Sequence, residues 1–136
     1  MADFSMFSLE GKTAVLIGGG GAIGSAVAEG MGTVGAQVVV CDLSLEKAEG
    51  TVQDLRGRGM IAKAYEVDAL DKGSLEAGCK AILGDWGQVD VLVNLAGGNL
   101  PEASTSEERS FFDLPLDALD KAIAINLFAG AILPTQ

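Results

Sequence analysis

The chain has 136 residues, with 9 Lys and Arg against 19 Asp and Glu, and a net charge of −10. That length holds one domain, and that charge excludes nucleic acid and anionic membrane surfaces as partners, since both need clustered cations. A 49% hydrophobic content excludes overall disorder, and the lack of any histidine removes Ser-His triads, most catalytic zinc sites and His proton shuttles.

Residues 1–10 have neither a basic start nor an apolar core, so no secretory leader is expected there. Residues 13–17, Thr-Ala-Val-Leu-Ile, form a continuous apolar run that ends in glycines and predicts a strand. A helix follows over 22–34, with Ile23, Val27 and Met31 at fourfold spacing. Residues 37–41 are a second apolar run, stopped by Asp42. The next helix, 45–58, is charged and solvated, with Leu45, Ala48, Val52 and Leu55 as its inner stripe. A third strand over 61–67, a third helix over 71–85 and a fourth strand over 89–93 continue the alternation, the last ending at Asn94.

Residues 97–115 break this rhythm. Connections longer than ~12–15 residues are usually functional or disordered. Ser104, Thr105, Ser106, Glu107 and Glu108 make a solvated surface by default, while Phe111 and Phe112 have the character to pack on a neighbour. Leu116, Leu119, Ile123 and Leu127 then predict a fourth helix, with Pro115 suited to its first turn. The uncharged runs 13–28 and 122–136 are too short, and too Gly-rich or too interrupted, to cross a membrane. A cytoplasmic protein is expected. Cys41 and Cys79 form neither a disulfide framework nor a metal-type spacing, and no metal site is expected.

Strand–helix alternation four times over predicts an α/β fold, a parallel sheet with helices on both faces. The right-handed crossover rule makes it doubly wound, in strand order 3-2-1-4. Runs such as 38–40 and 91–93 lack inside/outside alternation, as strands covered on both faces do.

The first strand leads directly into Gly18-Gly-Gly-Gly-Ala-Ile-Gly24 and a helix. Glycines permit close backbone approach, and a helix N-terminus supplies free N–H groups, so the pair suits a phosphate. Two registers fit, Gly19, Gly21 and Gly24 or Gly18, Ala22 and Gly24, and a plain Gly-rich turn is the alternative. Asp42, 24 residues past Gly18, stands where a dinucleotide fold binds the adenosine ribose. The alternative for Asp42 or Ser44 is to cap the next helix. Neither positions 39–46 nor the glycine loop holds a cation for a 2′-phosphate, which favours NAD over NADP.

Together with Asn94-Leu-Ala-Gly-Gly98 and Asn126-Leu-Phe-Ala-Gly130, in that order, this loop resembles the short-chain dehydrogenase/reductase family from Gly11 onward. The resemblance selects the register Gly18, Ala22, Gly24, with Ala22 where glycine is more usual. It implies cofactor contacts from Gly18, Gly20, Gly21, Ala22, Ile23, Gly24, Asp42, Leu43, Asp68, Ala69, Asn94, Ala96 and Gly97, with Leu95 departing from the family's second Asn. It also implies that Asn126 is the helix-four Asn of a catalytic tetrad, holding a water on the way to a Lys. From the residues alone, Asn126 could instead hydrogen-bond a neighbouring helix. The family's Ser and Tyr-x-x-x-Lys find no match, and the only tyrosine, Tyr65, has Ala69 four positions on. The loop with Gly97–Pro101 and Phe111–Leu114 is similar to a sugar-acid, mannonate-type sub-group.

The implied function is NAD-linked hydride transfer between nicotinamide and an alcohol or ketone, in an enzyme expected to be homo-oligomeric. The chain would be its N-terminal, cofactor-binding half, cut before a fifth strand. Alone it should bind NAD weakly, self-associate and turn nothing over. A non-catalytic nucleotide-binding module is the alternative. A methyltransferase fits less well, because Asn94-x-Ala-Gly and Asn126 are not explained by it.

Overall fold

Val38, Val39, Val40 and Cys41 are wholly enclosed, the burial that a continuous β-branched run requires and a two-layer fold could not give it. In the computed structural model, which describes residues 5–136, this run lies in β2 (Gln37–Asp42). The first four residues of the segment tested for a leader lie outside that range. β2 pairs with β1 (Thr13–Ile17) on one side and β3 (Ala62–Glu66) on the other, and β4 (Val91–Asn94) pairs with β1. All three pairs are parallel, in the order β3-β2-β1-β4 that the strand–helix alternation and the switch-point rule anticipate.

Helices α1 (Ala22–Thr33) and α2 (Leu45–Gly57) cover the face bearing Ala14, Leu16, Val38 and Val40. Helix α3 (Lys72–Trp86) and Ala129 cover the opposite face, with Val15, Ile17, Val39 and Cys41. Burial and the adjacent Asp42 push the Cys41 thiol up to about 12, so it is a packing group and not a nucleophile. No helix among the described residues is long and apolar enough to cross a membrane, and these residues hold no metal-binding cluster.

Three inner stripes differ from expectation. In α1 Val27 and Met31 pack against the core as expected, beside buried Gly24 and Ala28, while Ile23 is 74% exposed. In α2 Leu45 is exposed and Thr51 takes a buried place beside Ala48, Val52 and Leu55. The fourth helix, α4 (Leu116–Ile123), becomes a π-helix over Ala124–Ile132. Its i→i+5 repeat shifts the phase of Leu127 against the α-helical turns that hold Leu116, Leu119 and Ile123. Ala118 and Ala129 are buried there, whereas Leu116, Ile123 and Leu127 are exposed. Pro115 stands at the N-cap rather than within the first turn. Phe111 and Phe112 meet edge-to-face at 5.8 Å but remain largely exposed.

Asp90 ties β4 to the start of β1. Its carboxylate accepts from the Thr13 N–H at 2.9 Å and from Lys12 Nζ at 3.0 Å. The Thr13 N–H first, and Lys12 next, hold the Asp90 carboxyl below its usual range. Across the sheet, Lys63 and Tyr65 do the same for Asp85. A lowered carboxylate pKa stabilises the fold above the unfolded value of about 4, and that contribution is lost as pH falls through the folded value. Asp90→Asn should therefore flatten the acid limb of stability, with urea midpoints falling less between pH 7 and pH 3 than in the parent.

Candidate cofactor site at the carboxyl edge of the sheet

Backbone hydrogen bonds continue past the strand ends and gather four segments at one edge. Gly18 and Gly19 N–H donate to Cys41 C=O at 2.8 and 3.0 Å, Leu95 N–H to Ile17 C=O at 2.8 Å, and Val67 N–H to Asp42 C=O at 2.9 Å. The glycine loop, Asp42, Asp68 and the Asn94–Gly97 turn thus lie at the carboxyl edge, where open α/β sheets bind ligands.

The register with Gly18 and Gly24 has a steric basis. Gly18 has φ +82°, and a Cβ there would lie 2.7 Å from the Ala96 nitrogen. A Cβ at Gly24 would lie 2.6 Å from Gly18 oxygen and 2.7 Å from Gly19 Cα, so the α1 N-terminus packs directly on the loop. Gly21 is the N-cap of α1 and makes no side-chain cap. The N–H groups of Gly21, Ala22 and Ile23, like that of Gly24, have no partner among the described residues, leaving free donors at the positive end of a helix. A cradle closed to any Cβ and lined with free N–H groups fits a pyrophosphate.

Asp42 is half-buried at the end of β2. Its Oδ2 accepts from Gly20 N–H at 3.0 Å and its Oδ1 from Ser44 N–H at 3.1 Å. The cap on α2 is Ser44, whose Oγ accepts from Lys47 N–H, so Ser44 and not Asp42 fills the capping role. Leu43 is exposed beside it. Asp68 Oδ1 accepts from Leu70 N–H at 2.9 Å, while its own N–H donates to Ser74 Oγ at 2.9 Å, and Ala69 is buried.

At the end of β4, Asn94 pairs in register with Ile17, and its Oδ1 is buried without a hydrogen-bond partner. Asn126, in the π-helix, pairs with Gly98 both ways: Nδ2 donates to its C=O at 3.0 Å and Oδ1 accepts its N–H at 2.9 Å. Nδ2 also donates to Ala122 C=O at 3.0 Å. The side chain therefore clamps the turn after Gly97 rather than a neighbouring helix. A Cβ at Gly130 would lie 2.7 Å from Ala96 oxygen, so helix and strand end touch backbone to backbone.

Tyr65 stands away from this edge machinery in its chemistry. Its hydroxyl donates to Asp85 Oδ2 at 2.6 Å and accepts from Trp86 Nε1 at 3.1 Å. Burial first, then Asp85, raise its pKa, the opposite of what a proton-transferring tyrosine needs.

Two residues at the site escaped sequence reasoning. Lys47 lies one position beyond the stretch searched for cations, yet a Cβ at Gly20 would lie 2.8 Å from Lys47 Cβ. Thr51 Oγ1, buried, donates to Gly19 C=O at 3.3 Å. A hydroxyl within an otherwise apolar helix stripe was the available signal.

The short chain dehydrogenase family profile matches residues 12–136. An oxidoreductase of Bacillus subtilis, UxuB, is 38% identical over 137 residues, covering 95% of this chain and 49% of that protein. The Escherichia coli 5-keto-D-gluconate 5-reductase is 33% identical over 121 residues, 89% of this chain and 45% of the reductase. A crystal structure of a candidate D-mannonate oxidoreductase from Haemophilus influenza, with bound NAD, superposes with a TM-score of 0.88 at 30% identity, covering 98% of this chain and 51% of that one. The chain spans about half the length of the curated relatives it matches. It belongs to the short chain dehydrogenase family.

Proposed function

We propose that the chain is the cofactor-binding part of an NAD-linked oxidoreductase acting on a small alcohol or ketone, with a sugar acid or polyol as the substrate class. The observation that carries this is the cradle made by Gly18, Gly24 and the free N–H groups of Gly21, Ala22 and Ile23, with the Asp42 carboxylate beside it. In this proposal the cradle receives the pyrophosphate, Asp42 and Leu43 the adenosine ribose, and Asp68 and Ala69 the adenine. Asn94, Ala96 and Gly97 line the nicotinamide side. Bound there, the nicotinamide accepts or gives hydride. Asn126, beside Gly98, holds a water on the proton path toward a Lys of the complete enzyme.

The substrate class rests on similarity to proteins named for mannonate and 5-ketogluconate. A cytoplasmic setting and a homo-oligomeric complete enzyme belong to the same proposal. A non-catalytic nucleotide-binding module is the second reading, favoured by Tyr65, the only tyrosine, being committed to Asp85.

The test is a calorimetric titration of the purified chain with NAD, followed by an assay of NAD reduction over polyols and sugar acids. Saturable binding without turnover is expected, because no residue present matches the family's Tyr and Lys. Absence of NAD binding contradicts the proposal, and turnover by this chain contradicts its assignment as the cofactor part alone.

A further inference from the structure

We propose that Thr51 is a positioning residue for the phosphate-binding loop, acting with Asp42 to clamp one peptide plane at both ends. The proposal rests on the cofactor reading above and adds a residue to it.

Gly19 C=O and Gly20 N–H belong to the same peptide unit. The carbonyl accepts from Thr51 Oγ1 at 3.3 Å, and the N–H donates to Asp42 Oδ2 at 3.0 Å. The two holders come from different elements, Thr51 from α2 and Asp42 from the end of β2. A peptide between two glycines meets little steric resistance to rotation, so its orientation must come from its hydrogen bonds. A planar unit held at both its donor and its acceptor cannot flip without losing both bonds.

The bond that Thr51 makes is unusual for its setting. A threonine inside a helix ordinarily bonds back to the carbonyl one turn earlier. Thr51 instead reaches a carbonyl 32 residues away, and it is only 6% exposed. Without the hydroxyl, the Gly19 carbonyl has no other partner among the described residues. The plane that Thr51 fixes leads directly into the Gly21, Ala22 and Ile23 donors, whose aim follows from it. Thr51 therefore acts through Gly19, and its effect belongs to the phosphates rather than to the adenosine.

The test compares the parent chain with Thr51→Val and Thr51→Ser. Three quantities are measured: hydrogen exchange at the Gly20 amide, the NAD dissociation constant, and the adenosine dissociation constant. Thr51→Val should speed Gly20 exchange about tenfold and weaken NAD about fivefold, while adenosine stays within about twofold. Thr51→Ser should restore both. If Thr51→Val does not fold, Thr51→Ala removes the same hydroxyl without added bulk and is judged by the same values. Equal weakening of NAD and adenosine, or Gly20 exchange at the parent rate, overturns the clamp. If the parent binds no NAD, the cofactor proposal fails, and Gly20 exchange alone decides the clamp.

Discussion

Gly18→Ala is expected to abolish measurable NAD binding and to cost the fold about 2–5 kcal/mol, from left-handed strain and overpacking together. The new methyl would lie 2.7 Å from the Ala96 nitrogen and 2.9 Å from the Leu95 carbonyl carbon. Both are backbone atoms of the segment following β4, so neither can turn aside as a side chain would. Relief requires the loop and the Asn94–Gly97 turn to separate, which opens the cradle proposed for the phosphates. Gly21→Ala is the control. A Cβ there meets nothing closer than the Gly18 oxygen at 3.8 Å, and the variant should stay within about 1 kcal/mol of the parent. Urea unfolding and NAD titration of the two variants measure the contrast.

Asp42→Ala is expected to weaken NAD about 10- to 100-fold, through lost charge-assisted hydrogen bonds, and to narrow the preference over NADP by more than about tenfold. The carboxylate now holds Gly20 and Ser44 N–H groups, and its charge opposes a 2′-phosphate carrying about two negative charges. Removing it ends that repulsion and leaves the exposed Lys47, whose stem begins beside Gly20, as a cation available to a 2′-phosphate. The double variant Asp42→Ala/Lys47→Gln should therefore lose most of the NADP gained. Titrating each variant with both cofactors separates the two charges. Unchanged NADP affinity in the double variant would assign the shift to the lost carboxylate alone.

The sheet was legible because its strands are covered on both faces. Burial of that kind leaves continuous runs such as Val38-Val-Val40, and the crossover and switch-point rules then arrange them. The glycine loop was legible for a related reason: a positive φ at Gly18 and a backbone contact at Gly24 admit no other residue. Helix four was harder: its apolar spacing marks no buried stripe, since Leu116 and Ile123 are exposed in the α-helical turns and Leu127 in the π-helical stretch. Lys47 and Thr51 belong to the site through packing of α2 against the loop, and Thr51 bonds a carbonyl 32 residues away. Asn126 bonds Gly98 across 28 residues, so its motif was visible but its partner was not. Spacing reports a residue's own element; contact across elements appears only in the fold.

The most direct measurement is amide chemical-shift mapping of the chain titrated with NAD. The largest shifts should fall on Gly21, Ala22 and Ile23, with smaller ones at Leu43 and Ala69. The Asp85–Tyr65 cluster between α3 and β3 should not move. Shifts centred on that cluster, or none at the three loop amides, would contradict a phosphate site at the glycine loop.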